Sequence, residues 1–588
     1  MKIAQPKKGK SNTRREFLRN SALVAVGLNF VPDTIIGNVL SKPLYPRTLF
    51  NKQNYPVRLG VNDYSISTRW TAPERISRFF AILEQLGLKH ADLHLRPIVN
   101  ARGENSRLMA ELIAHIDHDM RQHSMTYTLN VEDPNFREET EITPGVNEYY
   151  HPGDLHRWDL RMEWLKPLLT PDVSSQQAFQ GVVYDECEHM QLCNNQYSND
   201  SVQKALGKEG NFDKPFLADT HGMDMETAYN QLVVACQKLR EEHYEGRVPL
   251  KTEQVWPDLF HIFAKAGWTI TPKILKEGLS SVVMSIALGA AIQYADRTHF
   301  WVSPDLWRFW TFPGHSPVEL NSAFLMSYWL GAETIYVEGI TCLAHNQDAN
   351  DIVKDESGDA LTAHGTVVRD FAKKYVPQNP RPITWRDYRP RVAIIRLPDG
   401  GWGQSPPDTE MEEYPSRNRL LGNKDHPLDK AASEWLYVWP ILTHHVVHPG
   451  AISLWNRGIY PDKPDFFIPI DSVAVFDHLV EGSVLDSVEC FIVCGHALSS
   501  KTFEEIKKKV DHGATCIIAR RLYNQHSREQ LPGKWLVVKS FTDTGVAQTL
   551  TPFLGPPDVA RFRFANHIVE FTKGSQPDQI EVKVTELT

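Results

Sequence analysis

The residues with the most evident capacity for chemistry lie in one acidic stretch, residues 181–190, with the sequence GVVYDECEHM. An apolar run at residues 182–184 ends there in two adjacent acids, Asp185 and Glu186. A short apolar, β-favouring run is typical of a buried strand, so both acids are expected at its C-terminal edge. Carboxylates held side by side raise each other's pKa, as a general acid near neutral pH requires. The stretch indicates either catalytic acids or a solvated acidic turn, and the surrounding elements decide between them.

Those surrounding elements alternate between short β-like runs and longer amphipathic helices. The predicted strands are residues 57–62, 91–95, 125–131, 180–185, 249–254, 268–272, 299–303 and 333–337. Eight β–α units over about 300 residues have the size and order of a (β/α)8 TIM barrel. In such a barrel the chemistry takes place at the C-terminal ends of the strands, here called the barrel mouth. The barrel context therefore favours the catalytic interpretation of the acidic stretch.

Three glutamates directly terminate predicted strands, namely Glu186, Glu253 and Glu338. All three carboxyl groups are expected to converge at the barrel mouth. Glycoside hydrolysis needs one protonated carboxyl to donate to the leaving oxygen and an ionised one as nucleophile or base. We expect Glu186 to be the acid/base and Glu338 or Glu253 the second carboxylate. Asp185 is expected to orient Glu186 or a substrate hydroxyl, and the alternative for Glu338 is a structural ion pair.

Other side chains near the predicted strand ends suit the binding of a sugar. Tryptophan rings can stack on the apolar faces of sugar rings, while amides and imidazoles can bind hydroxyl groups. The candidate substrate-binding residues are Asn62, His94, Asn130, Trp256, Trp307 and Trp310. The alternative for the tryptophans is simple packing, and for His94 a structural role. Basic side chains that could meet an anionic substrate are Arg69, Arg96, Lys273 and Arg308.

The N-terminal region has the pattern of an export signal. Arg14 and Arg15 precede a short apolar run at residues 21–31, SALVAVGLNFV. This arrangement resembles a twin-arginine signal, and the apolar run is too short to anchor the chain in a bilayer. We assign residues 1–45 to the signal and its linker, and expect a periplasmic or secreted protein without a stable membrane anchor.

Charge and cysteine usage narrow the range of partners. The 588-residue chain has a net charge of -9, and residues 1–31 hold seven Lys or Arg and one Glu, which leaves -15 for the remainder. An acidic body argues against nucleic acid as a partner. The seven cysteines show no paired CxxC spacing. Cys187 and Cys193 could form a bridge, but free thiols are expected, together with no metal and no cofactor.

A Pro- and Arg-rich linker at residues 376–390 separates the predicted barrel from the rest of the chain. A second alternation of strands and helices then begins, with strands at residues 391–397, 466–468, 473–476, 490–494 and 515–519. From about residue 534 the pattern becomes β-rich. We therefore predict a barrel over residues 46–378, a second α/β domain over 379–530, and a small β-rich region over 531–588.

The chain resembles a known group of enzymes in two places. Residues 322–339, SAFLMSYWLGAETIYVEG, together with a strand-four glutamate, resemble barrel glycoside hydrolases of clan A. Residues 490–521, CFIVCGHALSSKTFEEIKKKVDHGATCIIARR, are similar to the flavodoxin-like, glutamine-amidotransferase-like domain that follows the barrel in family 42 β-galactosidases. The resemblance implies a glycosidase that acts on a carbohydrate, and a homo-oligomer, in that family usually a trimer.

The sequence departs from the pattern of clan A at two positions. Asp185 stands where those enzymes usually have Asn before the acid/base. Their nucleophile ends strand seven, whereas the predicted seventh strand here ends near residues 303–305 and Glu338 ends the eighth. The pair Asp185 and Glu186 also resembles that of substrate-assisted hexosaminidases, in which the Asp orients the attacking acetamido group.

The sequence thus predicts an exported, retaining glycoside hydrolase with Glu186 as its acid/base. A substrate-assisted N-acetylhexosaminidase and a non-catalytic glycan-binding barrel are the alternatives. An isomerase or lyase on the same barrel is a third possibility, against whose metal-dependent forms the lack of metal-ligand spacing argues.

Overall fold

A computed structural model describes most of the chain after the N-terminal region. The described residues are 57–63, 73–88, 92–95, 109–131, 135, 155, 157–169, 177–192, 215–220, 223–255, 257–276, 279–305, 315–337, 339–345, 357–398, 430–447 and 465–587. All of them belong to one compact unit, Phe50–Thr588. The predicted export signal lies outside the described residues.

Eight parallel strands form the predicted (β/α)8 barrel, which confirms the fold. The strands are β1 (Arg58–Asp63), β2 (Asp92–Leu95), β3 (Thr126–Asn130), β4 (Phe179–Asp185), β5 (Leu250–Gln254), β6 (Thr269–Pro272), β7 (Trp301–Val302) and β8 (Thr334–Val337). Their order in the sheet is β6-β5-β4-β3-β2-β1-β8-β7. Two parallel bridges, Ile270 with Phe300 and Lys273 with Ser303, join β6 to β7 and nearly close the barrel.

Helices follow the strands in the expected alternation. They are α1 (Pro73–Leu86), α2 (Met109–Gln122), α3 (Met162–Leu165), α4 (Cys187–Leu192), α5 (Met225–Lys238), α6 (Phe260–Ala266), α7 (Ser280–Gln293), α8 (Pro317–Trp329) and α9 (Ala363–Asp370). Side-chain caps fix the starts of two of these helices. The Asp224 carboxylate accepts a hydrogen bond from the Thr227 N–H at the start of α5, and the Ser316 hydroxyl accepts one from the Glu319 N–H at the start of α8. Each cap satisfies a backbone donor that the first helical turn leaves without a partner.

Strand β4 can reach its place beside β5 only because residue 181 is glycine. Gly181 has a φ of +120°, and a Cβ atom there would lie 2.0 Å from the carbonyl oxygen of Pro249. The register of β4 with β3 also shifts between Tyr127 and Leu129. The glycine therefore allows the close approach that delivers Asp185 to the barrel mouth.

A second parallel sheet follows the barrel. Its strands are β9 (Val392–Arg396), β11 (Val473–Asp477), β12 (Cys490–Val493), β13 (Thr515–Ala519) and β14 (Lys534–Val538). The spatial order is β11-β9-β12-β13-β14. This is the flavodoxin-like order 2-1-3-4-5, so the second α/β domain is present as predicted. The associated helices are α10 (Lys430–Ser433), α11 (Trp439–Leu442), α12 (Ser500–Asp511), α13 (Arg520–His526) and α14 (Thr544–Leu550).

Two details of this C-terminal half differ from the predictions. Residues 466–468 form no strand; the chain instead forms the short β10 (Ile470–Asp471), which pairs with β15. Strand β14 pairs in parallel with β13, so the second sheet continues past residue 530. The domain boundaries themselves stay predictions.

The C-terminal sheet contains β10, β15 (Val559–Arg563), β16 (His567–Lys573) and β17 (Ile580–Glu586). Strands β15, β16 and β17 pair in antiparallel fashion, as expected for a β-rich end of the chain. In the described part of the chain six cysteines are free and buried. Among the described helices, none has both the length and the apolar character needed to cross a membrane.

Helix α7 of the barrel packs directly on strand β11 of the second sheet. A Cβ atom at Gly289 would lie 1.9 Å from the carbonyl oxygen of Val475, so only glycine permits this contact. Beside it the Asp477 carboxylate accepts hydrogen bonds from the hydroxyls of Tyr229 and Tyr294 and from the Gln293 amide. Asp477 is fully buried, and these donors offset the cost of burying its charge. The barrel and the second sheet therefore share one interior.

Candidate active site

The described carboxylates of the barrel mouth surround one buried lysine, Lys273. Its Nζ lies 3.1 Å from Asp185 Oδ1, 3.0 Å from Glu186 Oε1 and 3.1 Å from Asp305 Oδ2. A fourth carboxylate, Glu253, has its Oε1 at 3.9 Å from the same nitrogen. We call these five residues the lysine cluster. The structure thus brings together three of the four acids predicted to be catalytic.

Lys273 reaches the centre of the mouth because it directly follows β6. Its backbone N–H donates to the carbonyl oxygen of Gln254 at 2.8 Å, and its β-bridge to Ser303 fixes it against β7. The side chain is only 1% exposed. Burial alone would lower the pKa of this ammonium, but the surrounding carboxylates, Asp185 first, raise it well above its usual value. Lys273 is therefore a permanent cation at neutral pH.

Glu186 is the accessible carboxylate of the lysine cluster. Its side chain is 18% exposed, whereas those of Asp185, Glu253 and Asp305 are 0% exposed. The backbone of Glu186 has a φ of +50°, in the left-handed region that non-glycine residues rarely adopt. This residue turns the chain from β4 into α4, and such strain is concentrated at functional sites. Of the four acids, Glu186 is the most exposed to a substrate in the mouth.

Asp185 is held by contacts within the protein. Its Oδ2 accepts a hydrogen bond of 3.1 Å from the Asn130 amide, while Oδ1 lies 3.1 Å from the Lys273 ammonium. Asn130, a predicted sugar-binding residue, therefore lies at the site and contacts a carboxylate there. Both oxygens of Asp185 are engaged, which suits a residue that orients its neighbours.

Glu253 lies deepest in the lysine cluster and is kept protonated. Burial, followed by the charge of Asp185, raises the pKa of the Glu253 carboxyl to about 8. Its Oε2 accepts a short hydrogen bond from the hydroxyl of Tyr336 on β8. The pKa of that phenol is itself raised well above 10, by burial and then by the charge of Glu253. At pH 7 this pair therefore retains both protons inside the barrel.

Asp305 provides a carboxylate just after β7, opposite the end of β4. It is fully buried, and burial raises its pKa despite the nearby Lys273. Glu186 Oε1 and Asp305 Oδ2 contact one nitrogen at 3.0 and 3.1 Å. The two oxygens therefore lie closer together than about 6.5 Å, the smallest carboxyl separation typical of inverting glycosidases. Their spacing is compatible with the shorter, retaining geometry.

Two predicted sugar-binding residues, Asn62 and His94, form a polar niche beside the lysine cluster. They are register partners on β1 and β2, and both are fully buried. Within the described residues, neither the amide of Asn62 nor the ring nitrogens of His94 has a hydrogen-bond partner. The His94 ring stacks on Tyr336 at 3.5 Å, and burial lowers its pKa, so the imidazole is neutral. Buried polar atoms without partners are costly, so this niche is suited to water or a ligand hydroxyl.

Two other side chains of the acidic stretch, Glu188 and Cys187, make structural contacts. The Glu188 carboxylate accepts from the backbone N–H of Val255 at 2.7 Å, and the Cys187 thiol lies 3.0 Å from the Thr252 hydroxyl. Both contacts fasten the start of α4 to β5. Among the described residues, no group of three or more His, Cys, Asp or Glu side chains is placed to hold a metal ion.

Several predicted site residues cannot be placed. Those that lie outside the described residues are Glu338, Trp256, Trp307, Trp310, Arg69, Arg96 and Arg308. Glu338 therefore stays a predicted second carboxylate. The expectation that Lys273 meets an anionic substrate does not agree with its surroundings, because carboxylates already occupy the space around its ammonium.

Two residues of the site, Asp305 and Tyr336, were not predicted as functional from the sequence, and Lys273 was predicted only as a possible contact for an anionic substrate. Asp305 follows β7 with only two residues between, and that position was a signal for a mouth carboxylate. Lys273 directly follows β6, where a cation could have been expected among so many acids. Tyr336 lies inside a regular apolar run, TIYV, and nothing local distinguishes it from a core residue.

Comparison with known proteins identifies the class of fold. No protein-family model matches the chain, and no curated protein matches it by sequence. Solved structures do match, among them a β-galactosidase from the psychrophilic Marinomonas ef1, with a TM-score of 0.50 and 10% identity over 90% of this chain and 100% of that chain. The chain therefore has the barrel-plus-α/β architecture of this glycoside hydrolase, which confirms the predicted resemblance at the level of the fold.

Two other β-galactosidase structures are similar over most of the chain. One is from Bacillus circulans sp. alkalophilus, with a TM-score of 0.45 and 11% identity over 80% of this chain and 72% of that chain. The other is a family 42 β-galactosidase from G. stearothermophilus, with a TM-score of 0.44 and 13% identity over 91% of this chain and 81% of that chain.

Proposed function

We propose that this protein is a retaining glycoside hydrolase whose acid/base is Glu186. The observation that carries the proposal is the position of Glu186: it is the accessible carboxylate of the lysine cluster and ends β4 at the barrel mouth. Glycosidases require a second carboxyl within reach, and Asp305 provides one at a spacing that suits retention. The fold shared with a β-galactosidase supports the same reaction class.

In this mechanism Glu186 protonates the leaving oxygen, and Asp305 attacks the anomeric carbon to give a glycosyl-enzyme intermediate. Glu186 then removes a proton from the water that hydrolyses this intermediate. For Glu186 to act as an acid, its contact with Lys273 has to lengthen when the substrate binds. Asn62 and His94 are placed to bind sugar hydroxyls, since their polar side-chain atoms make no hydrogen bond in the described structure, although His94 Nε2 lies 3.8 Å from Asp92 Oδ2.

A second candidate function, a non-catalytic glycan-binding barrel, is favoured by one specific observation. The Lys273 ammonium stands between Glu186 and Asp305, in the space that a reacting sugar would need. If that contact does not open, the mouth can bind a glycan without cleaving it. The substrate-assisted hexosaminidase is less well supported, because both oxygens of Asp185 are already engaged.

The test is hydrolysis of a panel of aryl glycosides, beginning with β-galactosides because the matched structure is a β-galactosidase. The panel should include N-acetylhexosaminides, and wild type should be compared with Glu186→Gln, Asp185→Asn and Asp305→Asn. Loss of hydrolysis in Glu186→Gln and Asp305→Asn, with retention of anomeric configuration by NMR, supports the proposal. Hydrolysis confined to N-acetyl sugars and lost in Asp185→Asn would favour the substrate-assisted scheme. Glycan binding without hydrolysis would favour the binding protein.

Export is part of the proposal and has a separate test. The residues Arg14 and Arg15 are proposed to direct the folded chain through the twin-arginine pathway to the periplasm or beyond. Replacing both by Lys should retain the protein in the cytoplasm, as measured by cell fractionation. Unchanged export of the double variant would contradict this assignment.

A further inference from the structure

We propose that Lys273 is a positioning residue: its buried ammonium holds the carboxylates of β4 and β7 close enough to act as an acid/base and nucleophile pair. This inference rests on the proposed function, and it assigns Lys273 a part in the reaction that does not require contact with the substrate.

The backbone around Lys273 is fixed on both sides. Its own N–H donates to Gln254 on the β5 side, and the next N–H, of Ile274, donates to the Ser303 carbonyl oxygen at 2.8 Å on the β7 side. Lys273 therefore occupies the point where β5, β6 and β7 meet. A side chain anchored in this way can hold groups from neighbouring strands without moving itself.

The segment after Lys273 is fastened by a second lysine. The Lys276 ammonium lies 2.9 Å from Asp578 Oδ2 and 3.4 Å from Glu319 Oε2. Its backbone N–H also donates to Glu319 Oε1 at 3.1 Å. Because Asp578 belongs to the connection between β16 and β17, the C-terminal sheet helps to hold the segment that carries Lys273.

Electrostatics explain why a cation is needed at this point. Asp185 and Glu186 on the β4 side and Asp305 on the β7 side all lie within 3.1 Å of the Lys273 ammonium. Without it, three buried or partly buried carboxylates would repel one another, and some would take up protons or move apart. Glu253 and Tyr336 face the same centre and are protonated at neutral pH, so they do not supply the missing positive charge.

The cation acts differently on the two acids that burial affects most. The charge of Lys273 opposes the rise that burial causes in the pKa of the Asp305 carboxyl, while the more distant Glu253 keeps its proton. An anionic group on the reacting sugar would have to compete with the surrounding carboxylates for Lys273. The site is thus built for a sugar without a carboxylate or sulfate at the reacting position.

The first test measures folding and does not depend on turnover. The Tm of wild type, Lys273→Met and Lys273→Arg is determined from pH 4.5 to 8.5. In Lys273→Met the carboxyls lose their cation, and their pKa values in the folded state rise. The folded state then binds more protons than the unfolded state, so stability falls as pH rises. We expect the deficit in Tm to be largest at pH 8.5, to shrink toward pH 4.5, and to be smaller at every pH in Lys273→Arg.

A variant that also lacks two of the carboxylates serves as the control. Combining Lys273→Met with Asp185→Asn and Asp305→Asn removes two of the unpaired carboxylates, and should restore most of the Tm lost at pH 8.5. A deficit that is independent of pH, or that the triple variant does not reduce, would overturn the proposal.

The second test uses the substrate found for the wild type. A positioning role predicts that Lys273→Met lowers kcat by about 100-fold, as expected when a reacting group is misplaced by about 1 Å, with little change in KM. The acid limb of its kcat/KM profile should move to higher pH. A rise in KM alone would show that Lys273 binds substrate and would contradict the inference. If the wild type hydrolyses no glycoside, the proposed function fails, and the pH dependence of Tm still decides the role of Lys273.

Discussion

Glu186 donates its backbone N–H to the carbonyl oxygen of Glu253 at 2.8 Å, so the accessible acid and the deeply buried acid are joined through the main chain. The bond forms where β4 has turned into α4 while β5 continues for one more residue. It fixes the left-handed backbone of Glu186, and it sets the two carboxyl groups at different depths. The Glu186 carboxyl therefore meets the solvent, while the Glu253 carboxyl lies in the barrel interior, where burial raises its pKa.

The first prediction concerns the proposed acid/base. Glu186→Gln should lower kcat by about 10²–10⁴-fold on a substrate with a poor leaving group, because general acid catalysis contributes about that factor. Steady-state kinetics would measure this, with an unchanged circular dichroism spectrum as evidence of folding. Glu163→Gln is a suitable control, because Glu163 is exposed and belongs to the same barrel. Equal activity of the two variants would exclude Glu186 as the acid.

The second prediction concerns the proton on Glu253. The folded pKa of about 8 lies above the unfolded value, so wild type loses stability as pH rises from about 4.5 to 8. In Glu253→Gln the side chain is neutral at every pH, so the variant does not lose stability in this way. The difference in unfolding free energy, variant minus wild type, should therefore increase with pH by up to about 1.4 kcal/mol per unit.

This difference can be measured by urea unfolding at pH 5, 6, 7 and 8. A difference that is constant over this range would mean that Glu253 is not protonated in the folded protein. Glu188→Gln provides a comparison with another buried glutamate of the same region, whose carboxylate accepts from a backbone N–H.

The third prediction concerns the polar niche of Asn62 and His94. His94→Phe retains a ring to stack on Tyr336 and removes two buried nitrogens that have no hydrogen bond in the described structure. We expect Tm to be unchanged or raised, and binding of the sugar to weaken by about 1–3 kcal/mol, the usual cost of an unpaired buried polar group. Isothermal titration with the product sugar would measure the affinity. A lower Tm with unchanged affinity would show that His94 is structural.

The fourth prediction concerns the contact between the barrel and the second sheet. Gly289→Ala places a Cβ atom 1.9 Å from the Val475 carbonyl oxygen, so α7 and β11 must move apart. We expect a loss of about 1–3 kcal/mol in unfolding free energy, the range typical of overpacking. Thermal unfolding would measure it. Gly513→Ala is the control, since its φ of +105° is strained while no atom lies within 4 Å of the added methyl group.

The barrel could be predicted from the sequence because its signal is local. Each strand ends in, or is directly followed by, a polar residue, and the helical stretches between the strands are recognisable, so all eight strands lie within two residues of the predicted bounds. The short strands β5 and β6 were predicted as well, although apolar runs of this length are ambiguous. The second sheet was predictable for the same reason, apart from β10, whose two residues are too few to form a pattern.

The arrangement of the site could be predicted only in part. Asp185, Glu186 and Glu253 could be predicted as site residues from their positions at strand ends, because in a barrel those positions lie at one mouth. Lys273 was predicted as a possible anion-binding residue because the sequence shows its charge but not the carboxylates that lie close to it in the fold. Only the closure of β6 onto β7 brings Asp305 to the same nitrogen, and that closure depends on a bridge between residues 273 and 303 that no local pattern shows.

Helix α7 has a consequence for how this chain can be divided. Every residue from Ser280 to Ile292 is buried, so the helix is apolar on all sides and has no face suited to water. Part of its cover comes from β11, which lies almost two hundred residues further along the chain. A barrel expressed without the second domain would expose this surface and aggregate. In this protein the barrel, which carries the acids, is therefore not an independent domain. It can be transferred to another protein only together with the second sheet.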